Sequence, residues 1–349
     1  MSLHSTVPGS EPLHVSLVAI PEAVVSTLSG IFDVMNAFAM MPQSNSMAIQ
    51  SPPFRVEIVG VQAGPLGLAS HVPVTVQRDI TSIESTDIII VPSVLLGAEG
   101  WQKGRYPELV QWLLAMHSRG ALLCSACSGL FLLAETGVFD GMEATVHFGY
   151  ATAFTSVYPQ VPIHSERVLV ISGKREELIT SGASMTWHDL VLYLIGRHVG
   201  ATAAQAVARF FALQWHQDGL APYIIFEGRS DHGDLAVQTA QEWIAGHFSV
   251  ANPLEEMIRL AGLGERTFKR RFTLATGLSP IAYVQRLRIE DAKRRLERTE
   301  APVDEISWQV GYVEPAFFRR LFKRVTGLSP GVYRRRFQIP VYARTQQKG

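Results

Sequence analysis

The chain has very little cysteine: two residues, Cys124 and Cys127, in 349. Two thiols cannot build a disulfide framework, so stability must come from packed cores, and a reducing compartment suits the chain. Long apolar runs are missing too. Stretches such as LVLYLIG at 190–196 fall short of the roughly 18 to 20 residues that span a bilayer, so no membrane partner is expected. The amino-terminal MSLHSTVPGSEP has neither the basic start nor the apolar stretch of a secretory signal, and the expected location is cytoplasmic. Net charge is also absent, because 31 Lys+Arg balance 31 Asp+Glu.

That balance hides a division. Residues 1–240 hold 11 basic and 20 acidic residues, a net of −9, whereas residues 241–349 hold 20 and 11, a net of +9. A length of 349 residues exceeds what one core usually supports, so two or three domains are expected. A basic domain joined to an acidic one points to a polyanionic partner for the basic part, most often nucleic acid.

The basic part contains a duplication. FKRRFTLATGLSPIAYVQR from Phe268 and FRRLFKRVTGLSPGVYRRR from Phe318 share T-G-L-S-P-x-x-Y, at Thr276–Tyr283 and Thr326–Tyr333. Each copy reads as helix, turn, helix. In the first, Asn252-Pro253 supply an N-cap and an N1 proline, and Leu254, Met257, Ile258 and Ala261 recur at helical spacing. Gly262-Leu263-Gly264 breaks that helix, and the next buries Phe268 and Phe272 while Arg266, Lys269 and Arg270 share the outer face. In the second copy Val303, Ile306 and Val310 form the inner stripe, Gly311-Tyr312 the turn, and 314–326 the following helix. IAYVQRLRIEDAKRRLERT at 281–299 predicts one long connecting helix. A short helix with a basic outer face after a tight turn suits insertion into a DNA major groove.

This composite pattern resembles the double helix-turn-helix domain of AraC/XylS transcription regulators over residues 240–337. The resemblance implies that Arg266, Lys269 and Arg270 in the first recognition helix, and Glu314, Ala316, Arg319 and Arg320 in the second, face double-stranded promoter DNA. Gly264 departs from the pattern, which often has a capping serine there.

Residues 1–215 alternate β-branched runs (14–20, 54–60, 87–93, 121–126) with helical patterns (24–38, 107–117, 129–136), which predicts an α/β sandwich around a largely parallel sheet. Cys127 falls at the carboxyl end of ALLCSA, where a strand-to-helix turn projects a side chain into the ligand crevice, and Gly129 suits the tight backbone. Cys124 lies on the strand and should be buried. A redox pair fits poorly, since the second cysteine rather than the first begins the helix, and zinc fits less well because no second cysteine pair or close histidine spacing exists.

ALLCSACSGLFLLAETGVFDGMEATVH, from Ala121 to His147, resembles the ThiJ/PfpI (class I amidotransferase-like) domain, a flavodoxin-like α/β sandwich. That domain followed by an all-α AraC-type domain is the arrangement of GlxA-like regulators. The resemblance implies a ligand pocket including Cys127, Ser128, His147 and Thr27, with Ser184 and Asp189 as further candidates or core and capping groups. Thr27, beside Ser26, stands where enzymes of this superfamily carry an acid, and Glu22 is displaced from it, so binding without turnover is expected. A cysteine enzyme such as an amidase, hydratase or protease, or an oxidant sensor at Cys127, is the alternative.

The expected plan is a ligand-sensing and dimerising domain at 12–215, a linker at 216–234 whose YIIF packs on one domain, and a DNA-binding domain at 235–338. The resemblance further implies activation more often than repression, contact with RNA polymerase, a homodimer, and an amine, amino acid or related nitrogen compound as effector. No cofactor or metal is expected.

Overall fold

The computed structural model describes residues 11–41 and 52–340. The chain divides into two compact units, Met1–Leu220 and Ala221–Gly349.

In the first unit seven strands make one sheet. They are β1 (Leu13–Val18), β2 (Phe54–Gly60), β5 (Arg78–Asp79), β6 (Ile88–Val91), β7 (Leu122–Ala126), β8 (Leu169–Ser172) and β9 (Leu178–Ser181). Their order is β5-β2-β1-β6-β7-β9-β8, and every pair is parallel except β8 with β9. A separate hairpin joins β3 (Gly64–Gly67) to β4 (Pro73–Val76). Parallel strands buried on both faces read as continuous apolar runs, as Ile88–Val91 does, with all four residues fully buried.

Helices cover both faces. One core layer packs α1 (Val25–Met35), α6 (Trp187–His198) and α7 (Ala201–Phe210) on the sheet, and the other packs α3 (Pro107–Ser118) and α4 (Leu130–Ala134). Short helices α2 (Ala37–Met40) and α5 (Ala151–Val157) complete the set. The predicted helix at 24–38 is interrupted at Asn36, whose side chain donates to Phe32 O at 2.9 Å and ends α1. The predicted helix at 129–136 is shorter, because residues 127–129 form a 3-10 turn before α4.

The second unit is helical: α8 (Leu235–His247), α9 (Pro253–Ala261), α10 (Glu265–Thr276), α11 (Pro280–Arg298), α12 (Val303–Gln309), α13 (Pro315–Thr326) and α14 (Pro330–Phe337). The duplicated sequence gives duplicated contacts. Gly277 and Gly327 end α10 and α13 with φ of 76° and 79°, the left-handed cap that glycine takes without a Cβ clash. Thr276 and Thr326 hydroxyls each donate to the carbonyl four residues back, at 2.8 Å. Ser279 and Ser329 then accept from the amides of Ala282 and Val332, capping α11 and α14. Tyr283 packs edge-on against Phe272 at 5.3 Å, and Tyr333 against Phe322 at 5.4 Å.

Asn252 occupies the N-cap position of α9, but its side chain makes no cap bond, contrary to the sequence expectation. Proline at N1 removes one of the amides that would need a partner, and the two glutamates of the first turn favour the positive helix end instead.

Arg288 ties the helical unit together. It is 8% exposed, and its guanidinium donates to Phe248 O, Val250 O and Gly311 O at 2.6, 2.8 and 2.9 Å. Those carbonyls belong to the end of α8 and to the second helix-turn-helix turn, so one side chain on α11 holds both.

Candidate functional site

Cys127 follows β7 directly, with φ of 55°. Left-handed backbone costs a residue with a Cβ roughly 1 to 2 kcal/mol, so surrounding packing must hold the turn. Gly129 supplies that hold in a way the sequence did not reveal. Its φ is an ordinary −58°, yet an added Cβ would meet Pro92 O and Val91 O at 2.5 Å. The glycine is there for close approach of the turn to β6, not for an unusual backbone angle.

The thiol is 1% exposed, and its Sγ lies 3.4 Å from the hydroxyl of Ser184, an exposed residue in the turn after β9. Ser128 points the other way: its hydroxyl donates to Val94 O at 2.6 Å and accepts from Val94 N at 2.9 Å. Thr27, 2% exposed, donates to Ser93 Oγ at 3.1 Å. The segment 93–94 thus links Thr27 to the residue after the cysteine. His147 caps a short turn, accepting from Gly149 N at 3.0 Å through Nδ1, and burial lowers its pKa below the usual histidine value. Among the described residues no hydrogen bond joins His147 to Cys127, and no carboxylate contacts the thiol. Glu22 is engaged with Tyr106 and Arg105, and Asp189 with His216. Of the two further candidates, the fold brings Ser184 to the cysteine and turns Asp189 away. Cys124 is fully buried in β7, and burial pushes its thiol pKa up, which makes it inert.

A cavity of about 440 Å³ opens past the carboxyl ends of β1 and β2, lined in part by Ile20, Gln62, Leu66, Arg105 and Tyr106. Parallel sheets bind ligands at such strand ends, and this volume lies within the range of small-molecule pockets. Cys127 does not line it. Sequence reasoning missed this cavity because the 60–66 segment carries no chemical motif.

In the helical unit, Arg266, Lys269 and Arg270 are exposed on α10 while Phe268 and Phe272 are fully buried. On α13, Ala316, Arg319 and Arg320 are exposed beside buried Phe318 and Phe322, and Glu314 is the exposed N-cap residue. Two of the cations are already paired: Lys269 with Glu265 at 2.5 Å, and Arg319 with Asp304. Arg266, Arg270 and Arg320 have no ion-pair partner among the described residues. α10 and α13 therefore each present guanidinium groups without an ion-pair partner among the described residues on the solvent face.

Comparison with known families agrees with this geometry. The DJ-1/PfpI family profile matches residues 44–196, and a helix-turn-helix domain profile matches residues 257–336. The chain thus joins a domain of the DJ-1/PfpI type to a helix-turn-helix domain of the AraC type.

Among its relatives is the HTH-type transcriptional regulator CdhR of Pseudomonas aeruginosa, 26% identical over 77% of this chain and 78% of the relative. Another is the HTH-type transcriptional regulator GlxA of Rhizobium meliloti, 26% identical over 60% of this chain and 64% of the relative. A solved AraC family transcriptional regulator from Pseudomonas putida is 17% identical over 57% of this chain and 100% of that one, with a TM-score of 0.46. Among the described residues, no helix is long and apolar enough to cross a membrane.

Proposed function

We propose that the chain is a cytoplasmic, sequence-specific transcription regulator in which Met1–Leu220 senses a small molecule and Ala221–Gly349 reads promoter DNA. The observation that carries this reading is the duplication: two recognition helices, α10 and α13, each with buried phenylalanines and exposed basic groups, on either side of the 19-residue helix α11. A helix of that length spans about 28 Å, close to the roughly 34 Å between successive major grooves. Arg266, Lys269, Arg270, Glu314, Ala316, Arg319 and Arg320 form the DNA face.

In the first unit the proposed effector, an amine, amino acid or related nitrogen compound, enters at Ser184 and His147, over Cys127, with Ser128 and Thr27 bracing the turn from beneath through residues 93–94. The site binds without turnover. What supports this is the set of partners: a buried thiol with a hydroxyl beside it has no base to activate it, whereas a cysteine nucleophile needs one within hydrogen-bond reach. Effector binding favours one of two states of a homodimer, and the favoured state activates transcription with RNA polymerase.

Genome-wide chromatin immunoprecipitation of the tagged protein, beside an Arg270→Ala/Arg320→Ala double variant, tests the regulator reading. Discrete peaks that vanish in the variant support it; absence of peaks in both strains across nutrient regimes overturns it.

One observation favours a second reading, a cysteine enzyme fused to the DNA-binding unit. The positive φ of Cys127 is the strained backbone that sharp nucleophile turns use. Amidase or hydratase turnover that disappears in Cys127→Ala establishes it.

A further inference from the structure

The first unit holds a second polar cluster that neither reading uses. His188 and Asp189 lie in the first turn of α6, and His216 lies in the segment that leads out towards Leu220. Asp189 is 2% exposed and His188 8%. His216 donates its backbone N–H to Asp189 Oδ1 at 3.0 Å, and its ring Nδ1 meets Oδ2 at 2.6 Å. His188 Nε2 stands 3.5 Å from that same Oδ2 and 2.9 Å from the carbonyl oxygen of Gln214. The two imidazoles stack at 5.1 Å with 26° between their planes, so both direct a nitrogen at one carboxylate. One ligand atom from each of the three residues lies within 4.8 Å of the other two. A cavity of about 350 Å³, lined by Val168, Leu169, Asp189, Trp215, His216 and Gln217, reaches the cluster from outside.

Charge balance argues that this is more than a hydrogen-bonded clamp. Among the described residues Asp189 has no lysine or arginine ion-pair partner; its ion-pair contacts are the two histidines. A buried carboxylate costs several kcal/mol unless a cation answers it. Its place in the first turn of α6 offsets about 1 kcal/mol of that. Neutral imidazoles add N–H groups but no charge. Gln214 O can only accept, so His188 Nε2 carries the ring proton, and Nδ1 is left buried with no partner. Moving that proton to Nδ1 frees the Nε2 lone pair for a metal.

We propose that His188, Asp189 and His216 bind one divalent transition-metal ion, with zinc the best match. Two imidazoles and a carboxylate are its usual donors, and the Gln214 carbonyl or a water from the cavity supplies the fourth. The ion fastens the start of α6 to residues 214–216, the last stretch before the second unit in sequence. Spacing hid the site, because 27 residues separate Asp189 from His216.

The test is titration of the full chain, stripped with EDTA, with zinc sulfate in a calorimeter, beside His216→Gln. Glutamine keeps an N–H donor for Asp189 but is a poor zinc ligand. The expected result is one zinc per wild-type chain and at least about tenfold weaker binding in the variant, with metal-free melting temperatures alike. Zinc-edge X-ray absorption of the wild type should show two imidazoles and a carboxylate, and it decides the question by itself if the variant does not fold. Equal affinities, no saturable one-to-one binding, or a spectrum without histidine overturns the proposal. Failure here leaves the DNA-binding reading intact, since that rests on chromatin occupancy.

Discussion

Cys127 Sγ lies 3.4 Å from Ser184 Oγ, and this hydroxyl is the thiol's one hydrogen-bond partner among the described residues. A thiol that is 1% exposed and answered by a hydroxyl is shielded from oxidants and lacks a base. Cys127→Ala should therefore leave DNA affinity within about twofold while shifting the effector response, and modest peroxide doses should leave Cys127 unmodified. Mass spectrometry that finds Cys127 oxidised before any methionine would reverse that expectation.

The turn that carries Cys127 depends on Gly129. A Cβ placed 2.5 Å from two backbone oxygens cannot be relieved by a rotamer change. Gly129→Ala should cost about 1 to 3 kcal/mol, read as a lower urea midpoint for the first unit. An unchanged midpoint would mean that the turn and β6 separate easily.

The basic residues of α10 and α13 should not be equivalent. Arg270→Ala and Arg320→Ala should each weaken DNA binding by about 1 to 3 kcal/mol if they read bases, or uniformly across sequences if they meet phosphates. Arg319 is held by Asp304, so Asp304→Ala should leave affinity unchanged or raise it. Fluorescence anisotropy at two salt concentrations separates these cases.

Arg288 should behave as a structural residue despite its charge. Replacing it by alanine leaves three carbonyls without their donor, and about 1 to 3 kcal/mol of stability should be lost. Arg288→Lys should recover only part, because an ammonium cannot span the same fork. A DNA-binding defect without a stability defect would instead assign Arg288 to recognition.

His198, at the end of α6, has its pKa lowered to about 4, first by burial and then by Arg197. Between pH 6.5 and 4 the unfolded chain binds a proton that the folded chain does not, so stability is present above that window and falls as pH drops through it. The loss should be roughly 2 kcal/mol, and His198→Phe should flatten it. Melting temperatures from pH 7 to 4.5 measure both; parallel curves would show that another group controls the acid limb.

The second unit was legible because its signals are local. Helical spacing, the repeated T-G-L-S-P and the glycine stops are short-range features that act within a few residues, so α9 to α13 follow closely from the sequence. YIIF is settled by packing: Phe226 meets Tyr283 at 5.1 Å in the helical unit. In the first unit the apolar runs identified β1, β2, β6 and β7, but β8 and β9 stayed hidden because Leu178–Ser181 and its antiparallel neighbour are brief and bounded by polar turns.

What the sequence determined by itself is the pair of folds and the position of one cysteine at a strand end, since those depend on patterns of adjacent residues. Only the tertiary structure decided which arginines are free, which are tied to carboxylates or backbone carbonyls, and which hydroxyl meets the thiol. It also gathered His188, Asp189 and His216. Such pairings join residues tens of positions apart, and chain packing, which no short window encodes, fixes them.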